Sequence, residues 1–228
     1  MTTSLARSER AALCDTATLV GPTAPTLCAG WTAADVMAHL VTREDAPLAL
    51  LPDRVMPHRE RRRTAGLLGR FGYAGLVERF RKGPPLWTPY RLPGVDEAAD
   101  TIEFFVHHED LRRGTDPDTP ARHLSPMQED ELWRRTAGLG RLMLRHSPVG
   151  VVLERRMDVD PPSTGTPGAV SGDVLDTVTV KPGDRLVHVV GQPGELVLWL
   201  FGRTSAAHVD VIGHPDAVEA LGRLKLGL

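Results

Sequence analysis

The chain has 228 residues, of which 41% are hydrophobic and 25% are charged, and its net charge at pH 7 is −2. These values are typical of a globular protein with one large domain or two small ones, and they give no reason to expect nucleic-acid binding. No apolar run approaches the roughly 18 residues of a membrane span, and no signal-peptide core is evident. We therefore expect a cytoplasmic protein with no membrane partner.

The two cysteines, Cys14 and Cys28, are too few for a disulfide framework or a cysteine-based zinc site. Free cysteines are often buried and behave as small hydrophobic residues. We interpret both as reduced and structural.

Two helices are predicted in the first fifty residues. Residues 4–20 place apolar side chains on one side of a helix, and the proline- and glycine-rich residues 21–30 form a loop. The second helix covers residues 32–46 and carries His39 in its middle. A lone histidine in such a position is commonly a core residue with satisfied hydrogen bonds, but His39 is also a candidate metal ligand.

The next segment is basic, then helical, then rich in proline. Residues 54–63 are heavily basic, and their side chains form either a solvated face or a rim that binds an anion. Residues 64–82 are predicted to be helical, although three glycines weaken this pattern. Residues 83–94 (GPPLWTPYRLPG) contain four prolines and cannot form a helix. Their aromatic side chains are either a pocket wall or a core plug.

Residues 100–114 (DTIEFFVHHEDLRRG) form one short predicted helix with a polar stripe. Glu103, His107 and Asp110 are separated by four and then three residues, so they share a helix face. A carboxylate and an imidazole one turn apart can bind a metal, and a following carboxylate can hold the second imidazole nitrogen. The alternative is a solvated stripe or a Glu–His pair in the core. His108 points about 100° away from His107 and is interpreted as a decoy.

The remainder of the chain predicts a helix over residues 125–146 and then a change to strand periodicity. The helices before residue 147 predict a four-helix bundle. The later elements are strands at residues 149–154, 174–180, 185–192 and 209–212, a loop at 158–173, a turn at 181–184, and helices at 195–204 and 215–224. The predicted fold class is therefore α+β, with a bundle in residues 1–147 and a small α+β domain in residues 148–228.

His39, Glu103 and His107 form a set of two histidines and one carboxylate if their helices pack together. Three protein ligands and an open position are characteristic of catalytic zinc sites, whereas structural sites are closed. Nickel, cobalt, manganese and ferrous iron also accept these ligands.

Two segments of the sequence resemble a known family. LCAGWTAADVMAHLVTRE (residues 27–44) and EFFVHHED (residues 103–110) are similar to the DinB-like family, and more narrowly to the actinobacterial branch that contains mycothiol-dependent maleylpyruvate isomerases. GELVLWLFGR (residues 194–203), followed by VDVIGHPDAVEAL, resembles the small C-terminal domain of that branch.

The resemblance implies a DinB-like bundle that holds a divalent metal, usually zinc, through His39, Glu103 and His107. It also implies mycothiol as co-substrate, with thiol transfer or thiol-assisted isomerisation as the reaction. Asp110 matches the acidic residue after the histidine, and Arg203 lies in the family-like C-terminal segment. These two residues are the candidate catalytic residues.

The resemblance leaves the reaction open. A metal-dependent hydrolase is one alternative, because the same open position can activate water. A metal-binding or ligand-binding protein without catalysis is another. The expected partners are a small thiol and a small electrophile, and we expect a monomer.

Overall fold

A computed structural model of the chain describes residues 4–45, 57–84, 97–156 and 174–227. The chain divides into two units, Met1–Thr119 and Pro120–Leu228. The start of the predicted basic run (residues 54–56), most of the aromatic loop and the whole of the predicted loop at residues 158–173 lie outside the described residues. None of the described helices combines the length and apolarity needed to cross a lipid bilayer.

Within its described residues the first unit contains four helices, and the predicted bundle is confirmed. The helices are α1 (Leu5–Val20), α2 (Ala33–Asp45), α3 (Pro57–Lys82) and α4 (Glu97–Arg112). Helix α1 packs on α4, and α2 packs on α3. The core side chains come from all four helices and include Leu13, Met37, Leu40, Leu76, Phe80 and Phe104.

Arg10 on α1 connects the four helices at one point. Its guanidinium group lies 4.4 Å from the centroid of the Phe80 ring on α3 and 4.7 Å from that of Phe104 on α4. It also pairs with the buried carboxylate of Glu44 on α2. Burial raises the pKa of Glu44, and the ion pair with Arg10 offsets only part of that rise. Arg10 thus links side chains of α2 and α4, the two helices that carry the site described below.

Helix α3 differs from its predicted form in two ways. It begins at Pro57, before the predicted start at residue 64, and it is interrupted at Gly72, where φ is 64° and ψ is 168°. Glycine reaches this left-handed region without steric cost, so the chain turns here and continues as a second helical segment. The hydroxyl group of Tyr73 then donates to the carbonyl oxygen of Ala17 at 2.7 Å, which joins that segment to α1.

Three helices and one sheet make up the described part of the second unit, as the predicted α+β class requires. Its elements are α5 (Pro126–Met143), β1 (Gly150–Arg156), β2 (Val174–Lys181), β3 (Leu186–Gly191), α6 (Pro193–Leu200), β4 (Val209–Gly213) and α7 (Pro215–Gly222). The strand order is β2-β1-β3-β4. Strand β1 pairs antiparallel with β2 and parallel with β3, and β3 pairs antiparallel with β4.

Strands β2 and β3 are consecutive in sequence but do not pair with each other. The turn between them crosses the start of β1, where Gly183 approaches Gly150. A Cβ atom at Gly183 would lie 2.7 Å from the backbone nitrogen of Gly150, so this crossing has no room for a side chain.

The two compact units divide between residues 119 and 120, whereas the sequence predicts a domain boundary at residue 147. Helix α5 packs on α6 and β2. The indole nitrogen of Trp133 donates to the carboxylate of Asp176 at 2.9 Å, and a Cβ at Gly140 would lie 2.8 Å from the side chain of Val180. The apolar face of α5 therefore belongs to the second core.

Candidate metal centre

Helices α2 and α4 bring His39, Glu103 and His107 together. His39 Nε2 lies 3.1 Å from Glu103 Oε1, and His107 Nε2 lies 3.3 Å from the same oxygen. One ligand atom from each residue lies within 4.8 Å of the other two. The one-turn spacing on α4 places Glu103 and His107 on one face, and the side chain of His39 reaches that face from α2.

Within the described part of the chain, the cluster is partly exposed to solvent. The side chains of Glu103 and His39 are 23% and 18% exposed, whereas that of His107 is 9% exposed. The imidazole ring of His107 lies 5.3 Å from that of His39 in an edge-on arrangement. The indole ring of Trp31 lies 5.3 Å from the imidazole ring of His39, measured between ring centroids. Glu103 and His39 are thus the more exposed members of the cluster, and His107 is the more buried one.

Asp110 fixes the orientation of His107. Its Oδ2 atom lies 2.8 Å from His107 Nδ1, and its side chain is 0% exposed. A carboxylate on one imidazole nitrogen favours the proton on that nitrogen, which leaves Nε2 as the metal-binding atom. Nε2 is the atom that faces Glu103 and His39.

The ion pairs set the protonation of this cluster in the absence of a metal. Burial tends to raise the pKa of Glu103, but hydrogen bonds from His107 and His39 outweigh it and lower the pKa well below its usual value. Burial tends to lower the pKa of His107, but its contacts with Asp110, Cys28 and Glu103 raise the pKa well above its usual value. A metal ligated by His107 Nε2 would require that nitrogen to be without a proton.

Cys28 is a neighbour of this cluster that the sequence reasoning treated only as structural. Its Sγ atom lies 3.1 Å from Asp110 Oδ2. Cys28, His107 and Asp110 also form a second group of three possible ligands within 4.8 Å of one another. Since 82 residues separate Cys28 from Asp110, no local spacing in the sequence indicates the contact.

His108 points away from the cluster, as its helical position predicts. Its Nδ1 atom lies 3.0 Å from Glu9 Oε2, and its Nε2 atom lies 2.9 Å from Thr16 Oγ1, both on α1. His108 thus has its own polar partners in the core of the first unit.

Arg203 lies in the second unit, three residues after the end of α6. Its guanidinium group donates to the carbonyl oxygen of Phe201 at 2.7 Å. Its catalytic role remains a prediction.

A cavity of about 440 Å³ lies between α2 and α3. It is lined by Val41, Glu44, Asp45, Phe71, Gly75, Glu78, Arg79, Lys82 and Gly83. None of the predicted site residues lines it, so the cavity and the cluster are separate features of the first unit.

The donor set suits a divalent metal. Two imidazole nitrogens and one carboxylate oxygen are ligands that zinc accepts in catalytic sites, with a further position left for another group. The same set accepts other first-row metals. His39, Glu103 and His107 would hold the ion, and Asp110 would support His107.

Comparison with known proteins identifies the family. The chain matches the family described as "Mycothiol maleylpyruvate isomerase N-terminal domain" over residues 4–137. Two solved structures are similar in fold, a mycothiol-dependent maleylpyruvate isomerase (TM-score 0.54) and a histidine-to-alanine mutant of the mycothiol-dependent maleylpyruvate isomerase (TM-score 0.51). Each is 18% identical to this chain, with 91% of this chain and 90% of the other covered. A search of curated protein sequences found no significant match. Since the family match covers more than half of the sequence, the chain belongs to the mycothiol maleylpyruvate isomerase N-terminal domain family.

Proposed function

We propose that this protein is a metal-dependent enzyme that uses a low-molecular-weight thiol, mycothiol. The reaction is either thiol transfer to a small electrophilic substrate or thiol-assisted isomerisation of that substrate. The observation that carries the proposal is the convergence of His39, Glu103 and His107 on one partly open point. The family and the two isomerases of similar fold support mycothiol as the thiol.

A divalent metal held by these three residues would supply a Lewis acid that keeps a coordinated thiol deprotonated at neutral pH. The residues of the chain prepare the site for it. Asp110 orients the His107 ring, and the low pKa of Glu103 keeps its carboxylate ionised. The indole ring of Trp31 packs beside the His39 ring.

The two possible reactions differ in the fate of the carbon–sulfur bond. In an isomerisation, the thiol sulfur adds to a conjugated double bond, the new single bond rotates, and elimination releases both the isomer and the thiol. In a transfer, the carbon–sulfur bond remains in the product. No cysteine of the protein is needed as a nucleophile in either reaction.

The metal centre is tested by metal analysis of the purified protein and two variants. We expect about one divalent ion per chain in the wild type and loss of that ion in His107→Ala. His108→Ala is the matched control, since it removes the neighbouring imidazole, which contacts Glu9 and Thr16, and should retain the metal. Full metal content in His107→Ala would contradict the site.

The reaction is tested with the metal-loaded protein, with mycothiol and maleylpyruvate or other small electrophiles. We expect turnover that requires the thiol and that is lost in His107→Ala. Turnover without a thiol would indicate a hydrolase, and saturable binding without turnover would indicate a binding protein.

A further inference from the structure

Asp110 accepts hydrogen bonds from two directions. The same oxygen, Oδ2, lies 2.8 Å from His107 Nδ1 and 3.1 Å from Cys28 Sγ. Asp110 is fully buried, and a buried carboxylate is costly unless donors surround it. The thiol group of Cys28 is therefore placed to act as a donor in the network that orients His107.

The loop between α1 and α2 holds Cys28 in this position. The backbone nitrogen of Leu27 donates to the backbone carbonyl of Asp110 at 3.2 Å. The hydroxyl group of Thr26 accepts from the backbone nitrogen of Cys28 at 3.2 Å and lies 3.0 Å from the carbonyl oxygen of Trp31. The side chain of Cys28 is thus attached to α4 at the residue that supports His107.

We propose that Cys28 is a positioning residue for the metal centre, acting through Asp110 on His107. Its S–H group holds the Asp110 carboxylate in the orientation that keeps the His107 Nδ1–H engaged and Nε2 directed toward Glu103. This inference rests on the proposed function, because it concerns binding of the metal by His107. It differs from the structural role expected from the sequence, in which the thiol only fills space.

The test compares Cys28→Ser with Cys28→Ala in a measurement of Zn²⁺ affinity by chelator competition. Serine keeps a donor, whereas alanine removes it. If the hydrogen-bond donor is required, the Zn²⁺ affinity of Cys28→Ser stays within about twofold of the wild-type affinity, whereas Cys28→Ala binds Zn²⁺ roughly 10-fold more weakly. A loss of about 10-fold is the lower end of the range for residues that support metal ligands. If Cys28 only fills an apolar space, alanine is tolerated at least as well as serine, and that order overturns the proposal.

Cys14→Ser and Cys14→Ala are the matched controls. Cys14 is also buried in the first unit, but its thiol faces the carbonyl oxygen of Val77 at 3.8 Å and not the cluster. We expect both variants to bind Zn²⁺ as the wild type does, even where their thermal stability is lower. A 10-fold loss in Cys14→Ala as well would attribute the effect to general destabilisation and contradict the proposal.

A second measurement separates positioning from direct ligation. Cys28, Asp110 and His107 Nδ1 lie close enough to bind a metal themselves. The Co²⁺-loaded wild type should show no sulfur-to-cobalt charge-transfer absorption if Cys28 acts only through Asp110. Such absorption, lost in Cys28→Ser, would make Cys28 a ligand and overturn the positioning role. Wild-type protein that binds neither Zn²⁺ nor Co²⁺ would overturn the proposed function together with this inference, whereas metal binding that is equal in all variants would overturn this inference alone.

Discussion

His107 is the residue that connects the parts of the candidate site. Its Nε2 atom faces Glu103 and its Nδ1 atom faces Asp110, so each nitrogen has a carboxylate at hydrogen-bond distance. Without a metal, this arrangement favours the protonated ring. With a metal, one carboxylate becomes a fellow ligand while the other keeps the remaining proton. One imidazole therefore couples proton release to metal binding.

The two cysteines should differ in reactivity. Burial raises the pKa of Cys14 to about 11, and its side chain is inaccessible to solvent. At pH 8 only about one thiol in a thousand is then a thiolate, the reactive form. Cys28 is partly exposed. A colorimetric thiol assay at pH 8 should label Cys28 in the folded protein and Cys14 only after unfolding.

The Cys28→Ser variant is the control for the labelling assay, since it should show no reactive thiol until it unfolds. Equal labelling of both thiols in the folded wild type would show that Cys14 is not buried as described.

The buried thiol of Cys14 also makes stability depend on pH. Folding raises the pKa of Cys14 above its ordinary value of 9.0, so the thiol contributes stability that is complete below pH 9 and is lost as the pH rises toward 11.

At the residue scale, the sequence predicts contacts within one helix better than contacts between helices. The stripe of Glu103, His107 and Asp110 follows from helical periodicity alone. Including His39 required the assumption that α2 packs against α4. The contact of Cys28 with Asp110 has no periodic signal, because a loop and a helix meet there through tertiary structure only.

The loop between α1 and α2 is the element on which the support of the site depends. It is anchored to the end of α4 where the backbone of Pro25 approaches Gly114. A Cβ atom at Gly114 would lie 2.0 Å from the carbonyl oxygen of Pro25 and 2.6 Å from the Cα atom of Thr26. Only glycine permits this approach, so Gly114 determines where the loop lies.

We expect Gly114→Ala to displace the loop and to destabilise the first unit by about 1–3 kcal/mol, the usual cost of forcing extra atoms into a packed region. Because the displaced loop carries Cys28 and Trp31, Zn²⁺ affinity should also fall. Chemical denaturation and chelator competition measure the two effects. Gly69→Ala in α3 is the control, because its Cβ would meet nothing within 4 Å, and it should stabilise the helix by roughly 0.5–1 kcal/mol. Unchanged stability and affinity in Gly114→Ala would show that the loop is not fixed at this point.

At the element scale, periodicity predicts most helices and strands to within a few residues. The predicted and observed elements differ where tertiary contacts determine the backbone conformation or the strand pairing. Helix α3 continues through Gly66 and Gly69 but turns at Gly72, and the sequence does not show which glycine has the left-handed conformation. Strand β3 pairs with β1 and not with its sequence neighbour β2, because the glycine crossing at the start of β1 permits that arrangement.

For the whole molecule, the sequence predicts a bundle followed by a smaller α+β domain, and this architecture is confirmed. The sequence does not determine the boundary between the two units. Amphipathic periodicity shows that α5 has an apolar face, but it does not show which core that face packs into. Trp133, Leu139 and Met143 on α5 pack into the core of the second unit. The family match extends to residue 137, part of the way along this helix.

The two possible boundaries are distinguished by two fragments of the chain, residues 1–119 and residues 1–147. The first contains α1–α4 and all three candidate metal ligands, so we expect it to be helical, monodisperse and able to bind about one Zn²⁺ ion per chain. The second adds α5 without the sheet and helix that cover its apolar face. An uncovered apolar helix face favours association, so residues 1–147 should bind a hydrophobic dye and scatter light more strongly. Circular dichroism, dye fluorescence, light scattering and metal analysis of both fragments provide the comparison. If residues 1–147 were monomeric and bound Zn²⁺ while residues 1–119 were unfolded, α5 would belong to the bundle, and the boundary predicted from the sequence would be the correct one.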